Sequence, residues 1–159
     1  MTTVTFEKTM PIRLVVVLLT LAGIAGVSRD VLSLADEFAA AVLVGTHAGV
    51  VIFQIFAAMG APVGRLTQGG QKVGALSAKG RQAAAASAAL LAVMIVFLLQ
   101  KTSLNLSFIS AEVLSYGLWF MVFFTFAGAI LNGISKSLQE CALWTPLLLL
   151  NAVLLMQLI

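Results

Sequence analysis

Residues 35–59 read ADEFAAAVLVGTHAGVVIFQIFAAM. From Phe38 to Met59 there is no Asp, Glu, Lys or Arg. The stretch exceeds the roughly 20 residues a helix needs to cross a hydrocarbon core of about 30 Å. Ser33 can cap its start, and Asp36 and Glu37 suit the positive end of a helix dipole. Gly60-Ala61-Pro62 closes it. A membrane-spanning helix over 35–59 is the reading from which the rest follows.

The whole composition agrees. Of 159 residues, 61% are apolar and 9% charged, with a mean hydropathy of +1.10. A water-soluble domain carries about a quarter charged residues, so this chain lacks the means to cover a surface in water. Further apolar runs at 12–27, 82–99 and 113–131 are predicted to span as well. The last run needs an argument. A helix beginning at Pro146 reaches only about 21 Å at ~1.5 Å per residue. Ser137-Leu138-Gln139-Glu140 offers an earlier capping-box start, giving a helix over 138–159 with Pro146 inside it as a kink. The expected fold is all-α: one polytopic transmembrane helix-bundle domain over 1–159, with five spanning helices and no internal repeat.

Lys8 and Arg13 precede the apolar run 14–21, and small residues follow at 22–26, in the manner of a signal peptide. The run continues to Val27, which favours a retained first helix. With five spans, Lys8, Arg13, Arg65, Lys72, Lys79, Arg81 and Lys136 share one side, and only Arg29 and Lys101 lie on the other. The positive-inside preference then places the N-terminus in the cytoplasm and the C-terminus outside.

Two loops on the cytoplasmic side stand out. GAPVGRLTQGGQKVGALSAKGR, residues 60–81, holds six glycines and four cationic residues. It lacks the Lys-Ser/Thr of a phosphate-binding loop, and no strand precedes it, so nucleotide is not an expected ligand, nor is nucleic acid an expected partner. Its cations satisfy the positive-inside preference and also suit anionic lipid headgroups, at about 1 kcal/mol each. NGISKSLQECALWTP, residues 132–146, is dense in hydrogen-bonding side chains. Glu140 is expected to pair with Arg65 or Arg81 and pack the loops together.

These stretches, GAPVGR…GG and N.IS.S..E…WTP, resemble an uncharacterised group of small bacterial polytopic integral-membrane proteins. That pattern often has an aromatic, a proline and an arginine where this chain has Val63, Ser77 and Cys141. The resemblance implies a polytopic fold in the bacterial inner membrane and brings no activity, substrate or catalytic residue.

Polar residues inside the bilayer are the best pointers to function. His47, the one histidine, and Gln54 project within about 20° of each other. Gly45 and Gly49 form a GxxxG pair on the opposite face, suited to close helix contact, so both faces of this helix are expected to be buried at the centre of the bundle. Thr125 and Asn132 supply a second polar stripe. His47 and Gln54 either hydrogen-bond across helices or line a ligand site. One histidine and one cysteine make no metal set, and no metal, cofactor or catalytic residue is expected. Two functions are weighed. One is a structural or accessory subunit that packs against other membrane proteins or its own copies. The alternative is a small carrier, channel or sensor around His47 and Gln54.

Overall fold

The computed structural model describes residues 36–102, 104 and 106–159, together with Met10, Ile12, Arg13, Val15 and Val17 of the N-terminal part. The helix expected over 12–27 lies largely outside these residues. Four long helices account for most of what is described: α1 (Asp36–Met59), α2 (Ala78–Leu99), α3 (Ala111–Gly133) and α4 (Leu138–Gln157). Each is long and apolar enough to cross a membrane, and among the described residues there is no strand.

Local chemistry sets the helix ends. Gly60, at φ 99°, terminates α1. Its N–H reaches the Ala57 carbonyl at 3.1 Å and the Ala61 N–H reaches Phe56 at 2.9 Å, the paired bonds of a Schellman cap. Serines start the other three helices. The hydroxyls of Ser77, Ser110 and Ser137 accept the N–H groups of Gly80, Val113 and Glu140 at 3.3, 3.4 and 3.2 Å, each satisfying a donor that the helix leaves open. Because of the first two caps, α2 begins four residues and α3 two residues before the apolar runs that announce them. In α4 the helix runs through Pro146 from the Ser137 cap, so the earlier of the two starts holds.

The helices pack as antiparallel neighbours, α1 most extensively along α2 and α3 along α4, with α1 also touching α4. One core gathers Ala40 and Leu43 of α1, Met94 and Leu98 of α2, Leu118 and Met121 of α3, and Leu154 and Leu155 of α4. A smaller one joins Ala57, Leu76 and Ala84 at the opposite end of α1, beside the 60–77 connection. The outer surface is apolar: Phe38, Ile52, Phe56, Tyr116, Trp119 and Phe123 are all exposed. In water that surface would be a liability; in lipid it is the ordinary exterior of a bundle.

The glycines divide differently from the sequence expectation. Gly45 and Gly49 are exposed, and a Cβ on either would meet nothing within 4 Å among the described residues. The buried side of α1 is instead the one bearing Ala39, Ala40, Leu43, His47 and Ala57, because those side chains give α2 and α4 something to pack against. Among the described residues, α1 is thus buried on one face and open on the other, rather than central. The glycine that permits close packing within the bundle is Gly117, where an added Cβ would lie 2.3 Å from the Phe97 ring. Gly117→Ala should drive that ring out of the α2–α3 contact and destabilise the protein by about 1–3 kcal/mol, the usual cost of overpacking. A lowered melting temperature in detergent checks this; an unchanged one would mean that Phe97 does not seat there.

Candidate functional site

The connection between α1 and α2 folds back against the start of α4. Its backbone carries two short 3₁₀ turns, Gly64–Leu66 and Gln68–Gly70, and closes on itself where the Gly64 N–H meets the Gly74 carbonyl at 2.9 Å. Gln68, Gly69 and Gly70 all take positive φ, at 54°, 80° and 61°. This left-handed run turns successive backbone groups outward toward α4, at a cost that glycine lowers.

Three side chains of the 132–146 stretch take hold of that backbone. The Ser137 hydroxyl donates to the Arg65 carbonyl at 2.6 Å, and Trp144 Nε1 donates to the Leu66 carbonyl at 2.5 Å. The Gly69 N–H donates to Glu140 Oε1 at 3.2 Å. The Trp144 ring also meets Phe53 of α1 edge-on, with centroids 4.9 Å apart. Gly70 sits so close that a Cβ there would fall 2.1 Å from Ser137 Cβ. The two loops singled out by composition therefore form one clamp, which ties α1, the connection and α4 together.

Glu140 does join the loops, but not through an arginine. Its second oxygen accepts the Ser135 hydroxyl, and the Ser135 carbonyl accepts from the buried Arg13 guanidinium. Among the described residues no ion pair links Glu140 to Arg65 or Arg81. The physical reason lies in desolvation. Glu140 is buried, and the exposed Arg65 side chain would have to leave water to reach it; the Gly69 N–H and the Ser135 hydroxyl satisfy the carboxyl group in its place. The capping box is accordingly half-formed, with Glu140 spent on the clamp and the Ser137 N–H bonded to Ser135 Oγ at 3.1 Å. Arg81 has other work. Its Nε donates to the Ala58 carbonyl at 2.6 Å, placing a cation at the C-terminal end of α1, where the helix dipole favours one. That accounts for a cation in the first turn of α2, a position the same dipole disfavours.

The polar residues expected to gather within the bilayer do not bond to one another. His47 is buried and its Nδ1 donates to the Leu43 carbonyl at 2.8 Å, within its own helix. Asn132 likewise donates to Gly128 at 2.8 Å. Thr125 is buried in α3, and Gln54 is half-buried on α1. The polar contact that does cross between helices was not foreseen: Thr46 Oγ1 lies 3.1 Å from Asn151 Oδ1 and 3.0 Å from the Leu43 carbonyl, linking α1 to α4. Asn151 was visible as a polar residue in an apolar run, whereas nothing distinguished Thr46 from other threonines. Among the described residues no group of three or more His, Cys, Asp or Glu could hold a metal ion.

Comparison with known proteins returns no match: no family model fits the chain, and no curated protein or solved structure is significantly similar to it.

The clamp makes a sharp stability prediction. Glu140→Ala should cost about 2–3 kcal/mol, because it removes hydrogen bonds to a charged acceptor. Arg65→Gln should stay within about 0.5 kcal/mol, since among the described residues it is the carbonyl of this exposed residue that is engaged, not its side chain. Equal losses in thermal unfolding would restore the ion-pair reading.

Proposed function

We propose that this chain is a small integral-membrane accessory subunit whose role is to pack against other membrane proteins or further copies of itself. The supporting observation is the face of α1 where Gly45 and Gly49 stand exposed, with no atom of the described residues within 4 Å of a Cβ placed there. In lipid, helices associate through close backbone approach at such small-residue faces, and this one is not used by the neighbouring described helices. The alternative, a ligand or transport site around His47 and Gln54, loses support because His47 and Asn132 each spend a donor on their own helix. By sequence, the apolar runs carry no carboxylate in their interiors to drive ion coupling.

In this reading the N-terminal apolar run is a fifth span, which puts the N-terminus and the clamp in the cytoplasm and the C-terminus outside, in the inner membrane of a bacterium. The resemblance to small bacterial polytopic proteins supports that placement. The basic 60–81 loop then faces an anionic leaflet, where its cations gain from lipid headgroups.

The test compares two pairs of variants released from their own membrane in mild detergent. Gly45→Leu with Gly49→Leu should abolish a defined complex and leave the melting temperature of the released monomer unchanged, since neither side chain meets a neighbour in the bundle. His47→Ala with Gln54→Ala should leave the complex intact. The reverse order of sensitivity, read by native mass spectrometry, would move the function to the polar residues.

A further inference from the structure

A cavity of about 190 Å³ lies between the second 3₁₀ turn and the start of α2, lined by Gly64, Thr67, Gln68, Gln71, Lys72 and Ser77 among others. Gln68 is committed to the wall: its Nε2 donates to the Gly80 carbonyl at 2.7 Å, pinning the turn to α2. Thr67 is not committed. It is only 8% exposed, yet its side chain caps no turn and has no hydrogen-bond partner among the described residues. Its oxygen is not among the buried side-chain atoms left without a partner, so the little exposure the residue keeps opens onto the cavity it lines, where an entering group can accept the hydroxyl proton.

The chemistry of the lining says what enters. The ionisable side chain there is Lys72, and no carboxylate lines the cavity. Ser77 Oγ accepts the Gly80 N–H, which leaves its proton to donate. The cavity also abuts the positive end of α2, a helix of 22 residues, whose dipole favours an anion at that point. A hydroxyl, an ammonium, a serine and an amide around one helix start match the oxygens of a phosphate group. The volume is below the roughly 300 Å³ at which pockets for drug-sized ligands begin, so a headgroup phosphate fits the scale better than a nucleotide.

We propose that Thr67, Lys72 and Ser77 form a binding site for a phosphate group, carried by an anionic phospholipid or free in solution. The proposal deepens the reading of the 60–81 loop as facing an anionic leaflet, and rests on that reading only for the lipid source.

The experiment uses the full chain in a zwitterionic detergent, with short-chain phosphatidylglycerol and inorganic phosphate titrated separately by native mass spectrometry. Phosphatidylglycerol should bind, inorganic phosphate should compete with it, and Thr67→Val and Lys72→Gln should each weaken both at least tenfold. Thr67→Ser, which keeps the hydroxyl, and Lys136→Gln, a cation on the other loop, should bind as the parent does. The same pattern of variants with inorganic phosphate alone would support the site and make its ligand a soluble phosphate. Failure of both probes to bind would overturn the site, as would parental binding by Thr67→Val. So would equal loss in Lys136→Gln and Lys72→Gln, which would reduce the effect to unspecific charge. If Thr67→Val does not fold, the contrast of Thr67→Ser and Lys72→Gln with Lys136→Gln decides alone.

Discussion

Backbone polar groups near the apolar interior must find partners, and the least regular part of this protein is organised around that demand. The 60–77 connection leaves the carbonyls of Arg65 and Leu66 and the N–H of Gly69 outside the four long helices. Ser137, Trp144 and Glu140 meet all three within two turns of α4. Everything near that end of the bundle depends on the arrangement. It holds the start of α4 against α1 through the Phe53–Trp144 contact, keeps the glycine-rich turns in one conformation, and shapes the cavity beside Thr67.

Much of this was legible in the sequence, and what was not has physical causes. The spans followed from unbroken apolar runs, whose length the bilayer dictates. Their ends were misplaced by two to four residues where a serine cap lay outside the apolar run, as Ser77 and Ser110 do. The meeting of the two loops was legible because both fall on one side of the expected spans and Glu140 offers an acid beside the basic 60–81 loop. The bonds themselves were not legible. They run to backbone carbonyls and to one N–H, which every residue carries and no composition betrays. The expectation of an arginine partner for Glu140 came from counting side chains, when the acceptor was satisfied by a main chain twisted into positive φ.

Glycine shows the same limit. GxxxG spacing identified a smooth face on α1, but spacing cannot tell whether that face turns inward. It turns outward, while Gly117, which stands in no such pattern, is the one pressed against an aromatic ring. The polar residues His47 and Asn132 lie on α1 and α3, and each bonds along its own helix. Among the described residues these polar groups of α1 and α3 bond along their own helices and a glycine stripe of α1 is exposed, which supports the proposed packing role over a solute site. The remaining polar opportunity lies at the membrane edge, in the loop.

The clamp is the central claim, and hydrogen exchange at the backbone of residues 64–70 tests it most directly. In the intact protein the amides of Gly64, Leu66, Gly69 and Gly70 are all hydrogen-bonded. They should exchange far more slowly than an open loop, and Trp144→Ala should release all four together while the amides in the middle of α1 stay protected. If residues 64–70 of the unaltered protein exchange at the rate of an unstructured chain, there is no clamp, and the account of this end of the molecule is wrong.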